Sequence, residues 1–120
     1  MRHIAQILVA VVALAHLWFL TLEMFLWTKP LGLRTFGQSL EKARDSAVLA
    51  ANQGLYNGFL AAGLIFGLSY PEPHAGMHIQ VFFLICVIAA GAYGGYSVSP
   101  KISAVQAAPA LLALIPLFLS

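Results

Sequence analysis

Four polar side chains fall within six residues of an otherwise apolar stretch. They are Asn52, Gln53, Tyr56 and Asn57, in AANQGLYNGFLAAGLIFG at residues 50–67. In hydrocarbon an amide without a partner costs on the order of a few kcal/mol, so something must hydrogen-bond to these groups. Either a neighbouring helix or the polar head of a bound molecule can do so. Three amides in six residues exceed what helix association needs, which favours a binding site. Small residues recur at spacing four in the same stretch, Gly54, Gly58 and Ala62 on one stripe and Gly63 and Gly67 on another. That pattern lets another helix come close.

A second group of candidates lies in residues 4–27. Glu23 is the sole acidic residue within an apolar run, and such groups normally face a bundle interior or a wet cavity. It can serve as a ligand contact or a proton carrier. Its structural alternative is a carboxyl near the interface, bonded to Tyr or Asn or reaching Lys29 or Arg34. His16 lies seven residues earlier on the same helical face, with Leu20 between them. A hydrogen bond from His16 to Asn57 across helices is the favoured reading for that ring. Tyr93 and Tyr96 end a third apolar run, where aromatics serve either as interface anchors or as site residues. His74 and His78 are four apart, but Gly76 intervenes and no third ligand is near, so no metal site is expected. Cys86 stands alone in an apolar run, which excludes an internal disulfide and a multi-cysteine metal site. No phosphate-binding glycine loop, catalytic serine motif or haem ligand pair is present.

The elements that position these groups are apolar helices. The chain has 120 residues, of which 61% are hydrophobic and 8% charged, where soluble domains carry about a quarter charged residues. This is a membrane composition. The net charge of +2 is too small and dispersed for a nucleic-acid footprint. Four apolar runs, at about 4–27, 48–70, 78–98 and 102–119, are each near the roughly 20 residues needed for a crossing. They predict a single all-α domain over 1–120, an integral membrane four-helix bundle. Arg2, the apolar run and Ala13-Leu14-Ala15 resemble a secretory signal. Apolar character continues to Trp27, so the segment is read as a retained first helix, ended at Lys29-Pro30. Residues 28–47 form the hydrophilic loop, and the second helix is expected to begin near Gln38, ahead of the membrane. Residues 70–76 read as a turn on proline and glycine signals. Pro109 is expected to bend the fourth helix.

Orientation follows from the basic residues of short loops. Lys29, Arg34, Lys42, Arg44 and Lys101 share one side and Arg2 lies on the other, which puts both termini outside the cytoplasm. Counting inward from Trp27 puts Glu23 roughly 6 Å and His16 roughly 16 Å below the cytoplasmic boundary. Entry of the second helix near Val48 puts Asn52 and Gln53 at the level of Glu23, and Asn57 at that of His16. Tyr93, Tyr96 and Gln106 fall in the same leaflet. The cytoplasmic half is thus expected to be polar inside, and the outer half almost wholly apolar.

Two resemblances bear on this reading. Met24-Phe25-Leu26-Trp27-Thr28-Lys29-Pro30, Arg34-Thr35-Phe36 and the block ANQGLYNG (residues 51–58) resemble a family of small bacterial four-span membrane proteins known as a domain of unknown function. That resemblance implies a fold and an inner-membrane location, with no settled activity. A looser one is to the membrane-associated proteins in eicosanoid and glutathione metabolism (MAPEG), which are similar in having four-helix subunits and outward termini. It implies a trimer, glutathione as a possible cofactor, and a ligand between subunits in the cytoplasmic leaflet. Asn52 would take the role of the family's helix-two asparagine, and Tyr93 and Tyr96 those of its tyrosines. Lys101 would stand for the basic residue after them. The sequence departs from that pattern at Leu55, where the family has an acid, and at Val48, where it has an arginine.

The expected protein is therefore an inner-membrane, homo-oligomeric bundle among membrane lipids. It would bind an amphiphilic small molecule at Glu23, Asn52, Gln53, Tyr56, Asn57, Tyr93, Tyr96, His16 and Arg44. A glutathione-dependent transferase acting on lipophilic substrates, with Arg44, Asn52 and Tyr93 at a subunit interface, is the enzyme alternative. A small proton-coupled transporter using Glu23 and His16 is the third.

Overall fold

The computed structural model describes residues 1–97 and 99–120, and the expected end of the third span at Val98 lies outside the described residues. The described chain is all-helical. Its elements are α1 (Arg2–Met24), α2 (Pro30–Phe36), α3 (Leu40–Ser69), α4 (Pro73–Ser97), α5 (Pro100–Ile102), a π-helical turn (Ser103–Ala107) and α6 (Ala108–Leu119). Arg2–Met24, Pro73–Ser97 and the continuous segment Pro100–Leu119 are long and apolar enough to cross a membrane. At 30 residues α3 is longer, but its amides and first-turn charges leave it less apolar.

Proline and its neighbours set several boundaries differently from the sequence reading. α1 stops at Met24, short of Lys29-Pro30. Pro30 then opens α2, because its missing N–H and fixed φ suit the first helical position. The hydrophilic segment 28–47 thus holds a short helix and the first two turns of α3. Pro73 does the same for α4, so the expected turn at 70–76 shrinks to Tyr70, Pro71 and Glu72. Glu72 caps that helix: its Oε1 accepts from His74 N at 2.9 Å, and its Oε2 from Ala75 N at 2.6 Å. Pro109 has no N–H to offer Val105, and the turn before it widens into the π-helical stretch.

The chain forms two compact units, one of Met1–Leu14 with Leu60–Ser120 and one of Ala15–Phe59. The first has a core at helical spacing: Ala5, Val9, Val12 and Ala13 from α1, Leu64 from α3, Leu84 and Val87 from α4, and Ala110, Ala113 and Leu117 from α6. Its outward positions are equally apolar, with Ile4, Ile7, Val11, Phe82, Ile85, Leu111, Leu112, Ile115 and Phe118 all exposed. These helices are apolar all round.

Close backbone approach holds this unit together. Gln80 Nε2 donates to Gly67 O at 3.1 Å, and Ser103 Oγ to Gly91 O at 2.9 Å. A Cβ at Gly76 would lie 2.6 Å from Gly67 O, and one at Gly91 2.7 Å from Ala107 N.

In the second unit the end of α1 packs on α3. A Cβ at Gly54 would meet Met24 Cγ at 2.7 Å and Glu23 Cβ at 3.0 Å, and one at Gly58 would meet Leu20 Cδ1 at 2.6 Å. Trp27 ties in α2 and the start of α3, meeting the Phe36 ring at a tilt with centroids 4.8 Å apart and donating from Nε1 to Ser46 Oγ at 3.2 Å. Gly37 ends α2 in the left-handed region, with φ +60°, and donates to Leu33 O.

Two predictions follow from these contacts. Gly76→Ala gains about 1 kcal/mol of helix propensity but drives a methyl against a carbonyl that cannot rotate away, at about 1–3 kcal/mol. The thermal midpoint in detergent should therefore fall, and a rise would mean that the α3–α4 contact gives way easily. The second concerns Glu72, whose carboxyl is held below the ordinary carboxylate range by the Ala75 N–H, then by that of His74. The cap's contribution is complete above the ordinary value and is lost as pH falls through the lower folded value. Amide protection factors at His74 and Ala75 should drop on acidification through that window. In Glu72→Ala they should be low throughout.

Candidate functional site

Glu23 lies one residue before the C-terminal end of α1, and Asn57 lies in α3. Asn57 Nδ2 donates to Glu23 Oε1 at 2.5 Å, a bond between residues 34 apart in sequence. Asn57 is buried and Glu23 half-buried. The bond forms because Gly54, one turn before Asn57, lets the α3 backbone reach Glu23 and Met24. An amide donor to a carboxyl oxygen is stronger than a neutral pair when the carboxyl is ionised, and both groups here would otherwise lose water unrewarded.

This partnership bears on the expected register. The depth count placed Asn57 opposite His16, and Asn52 with Gln53 opposite Glu23. The structure pairs Asn57 with Glu23 and sets Gly58 against Leu20. α1 ends at Met24, not Trp27, and α3 runs without a break past Val48. His16 is fully buried, at 1% exposure, and its ring meets Phe19 edge-on at 5.0 Å.

The other polar residues of α3 are uncovered. Asn52 and Gln53 are exposed and Tyr56 is 57% exposed, its ring 5.9 Å from that of Phe59. Gln53 and Asn57 are neighbours at i and i+4, as are Asn52 and Tyr56. The buried Glu23–Asn57 bond therefore continues along the helix surface into an open strip of two amides and a phenol. Arg44 is exposed nearer the start of α3. Tyr93 and Tyr96, at 72% and 85% exposure, belong to the other compact unit, on the last turns of α4. Gln106 is half-buried within the π-helical turn.

Two cavities stand out, and neither is lined by Glu23, Asn52 or Asn57. A wide depression in the second unit runs beside α2, along Pro30, Leu33, Arg34, Gly37 and Gln38. The other, of about 380 Å³, opens in the first unit where α1 and α4 begin and α3 and α6 end. Arg2, Gln6, Tyr70, His74 and Gln80 line it. Its polar groups lie outside the apolar stretches 61–68, 81–90 and 111–119, which contribute only Gly67, Leu68 and Leu117 to the lining. Gln80 carries no signal in the sequence, because a lone amide within an apolar run has no spacing partner. Its partner is a backbone carbonyl, Gly67 O, which leaves no signature in sequence. The rings of His74 and His78 meet at 4.4 Å.

No solved structure matches the chain. It is 34% identical over 114 residues to a protein named "Uncharacterized protein YpaA" from Lactococcus lactis subsp. lactis (strain IL1403), covering 93% of this chain and 94% of that relative. Residues 10–118 match the family described as "Protein of unknown function (DUF1304)". Spanning nearly the whole chain, that match means that the protein belongs to the DUF1304 family.

Proposed function

We propose that this is a multi-pass protein of the bacterial inner membrane, with both termini outside the cytoplasm. In this reading it binds the polar head of an amphiphilic molecule in the cytoplasmic leaflet, at Glu23, Asn57 and the open strip of Asn52, Gln53 and Tyr56. The observation that carries the reading is the continuity of that strip with the Glu23–Asn57 bond: one polar group is already partnered inside, and the next three are exposed on the same helix, α3. The membrane setting rests on helices apolar all round and on the basic residues gathered at 29–44. In lipid an open amide strip must be covered by another polar molecule. The apolar tail of an amphiphile would lie along exposed Phe59 and Leu55.

A second reading is favoured by exposure alone. Arg44, Asn52, Tyr93 and Tyr96 are all uncovered, as residues at a subunit interface of a MAPEG-like trimer would be. A glutathione-dependent transferase would then gain stability from glutathione, by mass action. A thermal midpoint unmoved by millimolar glutathione would remove this reading.

Variants separate binding from packing. Glu23→Ala strands the Asn57 amide and should cost about 1–3 kcal/mol, whereas Glu23→Gln keeps an acceptor and should stay folded. The double variant Glu23→Ala/Asn57→Ala should cost less than the sum of the singles. Asn52→Leu/Gln53→Leu changes only uncovered groups, so the midpoint should hold. Native mass spectrometry of that variant should show the co-purifying amphiphile reduced about tenfold, the equivalent of one or two hydrogen bonds. Undiminished retention of the same amphiphile would sink the proposal.

A further inference from the structure

The cavity of about 380 Å³ in the first unit contains an observation that the amide strip does not explain. Gln80 is 7% exposed, and its Nε2 donates to Gly67 O. Its other amide atom, Oε1, is buried with no hydrogen-bond partner. A buried acceptor left unsatisfied costs about 1–3 kcal/mol, so such groups are rare unless something else completes them. Gln80 is among the residues that line the cavity.

The rest of the lining narrows what that molecule is. Arg2 supplies a permanent cation whose planar fork suits an oxyanion such as phosphate. Tyr70 and Gln6 add further hydrogen-bonding groups, and Met77 and Leu117 make one wall apolar. The N–H groups of His74 and Ala75 at the start of α4 are already taken by Glu72, so the anion's partner is Arg2 and not the helix end. The acceptor Gln80 Oε1 demands a donor from the ligand. A fully ionised anion such as sulfate has none to give.

We infer that the cavity at the ends of α1, α3, α4 and α6 binds a phosphate ester bearing an ammonium group, the phosphate on Arg2 and the N–H on Gln80 Oε1. The site is separate from the Glu23–Asn57 strip, and its test does not depend on that reading. The same chemistry occurs in a lipid headgroup and in a free phosphoester, and the two sources are distinguished by experiment.

The full chain is placed in nanodiscs of equal phosphatidylethanolamine and phosphatidylcholine, and retained lipid is read by native mass spectrometry. Both lipids carry the phosphate, but only the first has an N–H donor. A soluble arm compares phosphoethanolamine with phosphocholine by thermal shift in detergent. Selection for the ethanolamine form in the lipid arm makes the ligand a headgroup; selection in the soluble arm alone makes it a free phosphoester. The preference should fall about tenfold in Gln80→Met, the loss expected for one hydrogen bond to a charged group. Arg2→Gln leaves the Gln80–Gly67 bond intact and should weaken both forms together; it decides the matter if Gln80→Met does not fold. Equal binding of the two headgroups in both arms, or a preference that survives in a folded Gln80→Met, overturns the inference. So does binding unchanged in Arg2→Gln.

Discussion

A polar group on an apolar helix that does not bond back to its own preceding turn must find its partner on another helix, and reaching it requires two backbones to come closer than ordinary side chains permit. That constraint recurs at three places in this chain. Asn57 reaches Glu23 beside Gly54, Gln80 reaches the carbonyl of Gly67, and Ser103 reaches that of Gly91. At each, a glycine occupies the spot where a methyl would meet a neighbouring helix within about 3 Å. Glycine is poor for an isolated helix by about 1 kcal/mol against alanine. It is tolerated here because the hydrogen bond and the packing it permits offset that loss.

How much of this was legible in the sequence depends on which partner a residue uses. The helices, the glycine stripes and the isolation of Glu23 follow from composition and period, and the described residues form helices and short connections with glycines at the contacts. The register was not legible. Asn57 pairs with Glu23, a register that depends on where the helices end, and Pro30 and Pro73 open helices where the sequence reading closed or delayed them. Gln80 was hidden for a different reason: a bond to a backbone carbonyl pairs a residue with a position, and no residue type marks that position. The π-helical turn is intermediate. Pro109 announces a disturbance in the fourth run, but a bend and a widened turn relieve the same missing N–H.

Asn57 and Gln80 are both buried amides on apolar helices, yet their situations differ. Asn57 spends a donor on a carboxyl, a strong acceptor, and each of the two groups answers the need of the other. Gln80 spends its donor on a carbonyl and keeps its own acceptor buried and unmatched. A residue needed only to join α3 to α4 could be a serine, as Ser103 is for α4 and the turn before α6, with no second polar atom left over. The longer side chain with a stranded oxygen costs more than such a joint requires. An amide at this position is therefore explained by packing only in part, and the remainder points into the cavity that the same residue lines.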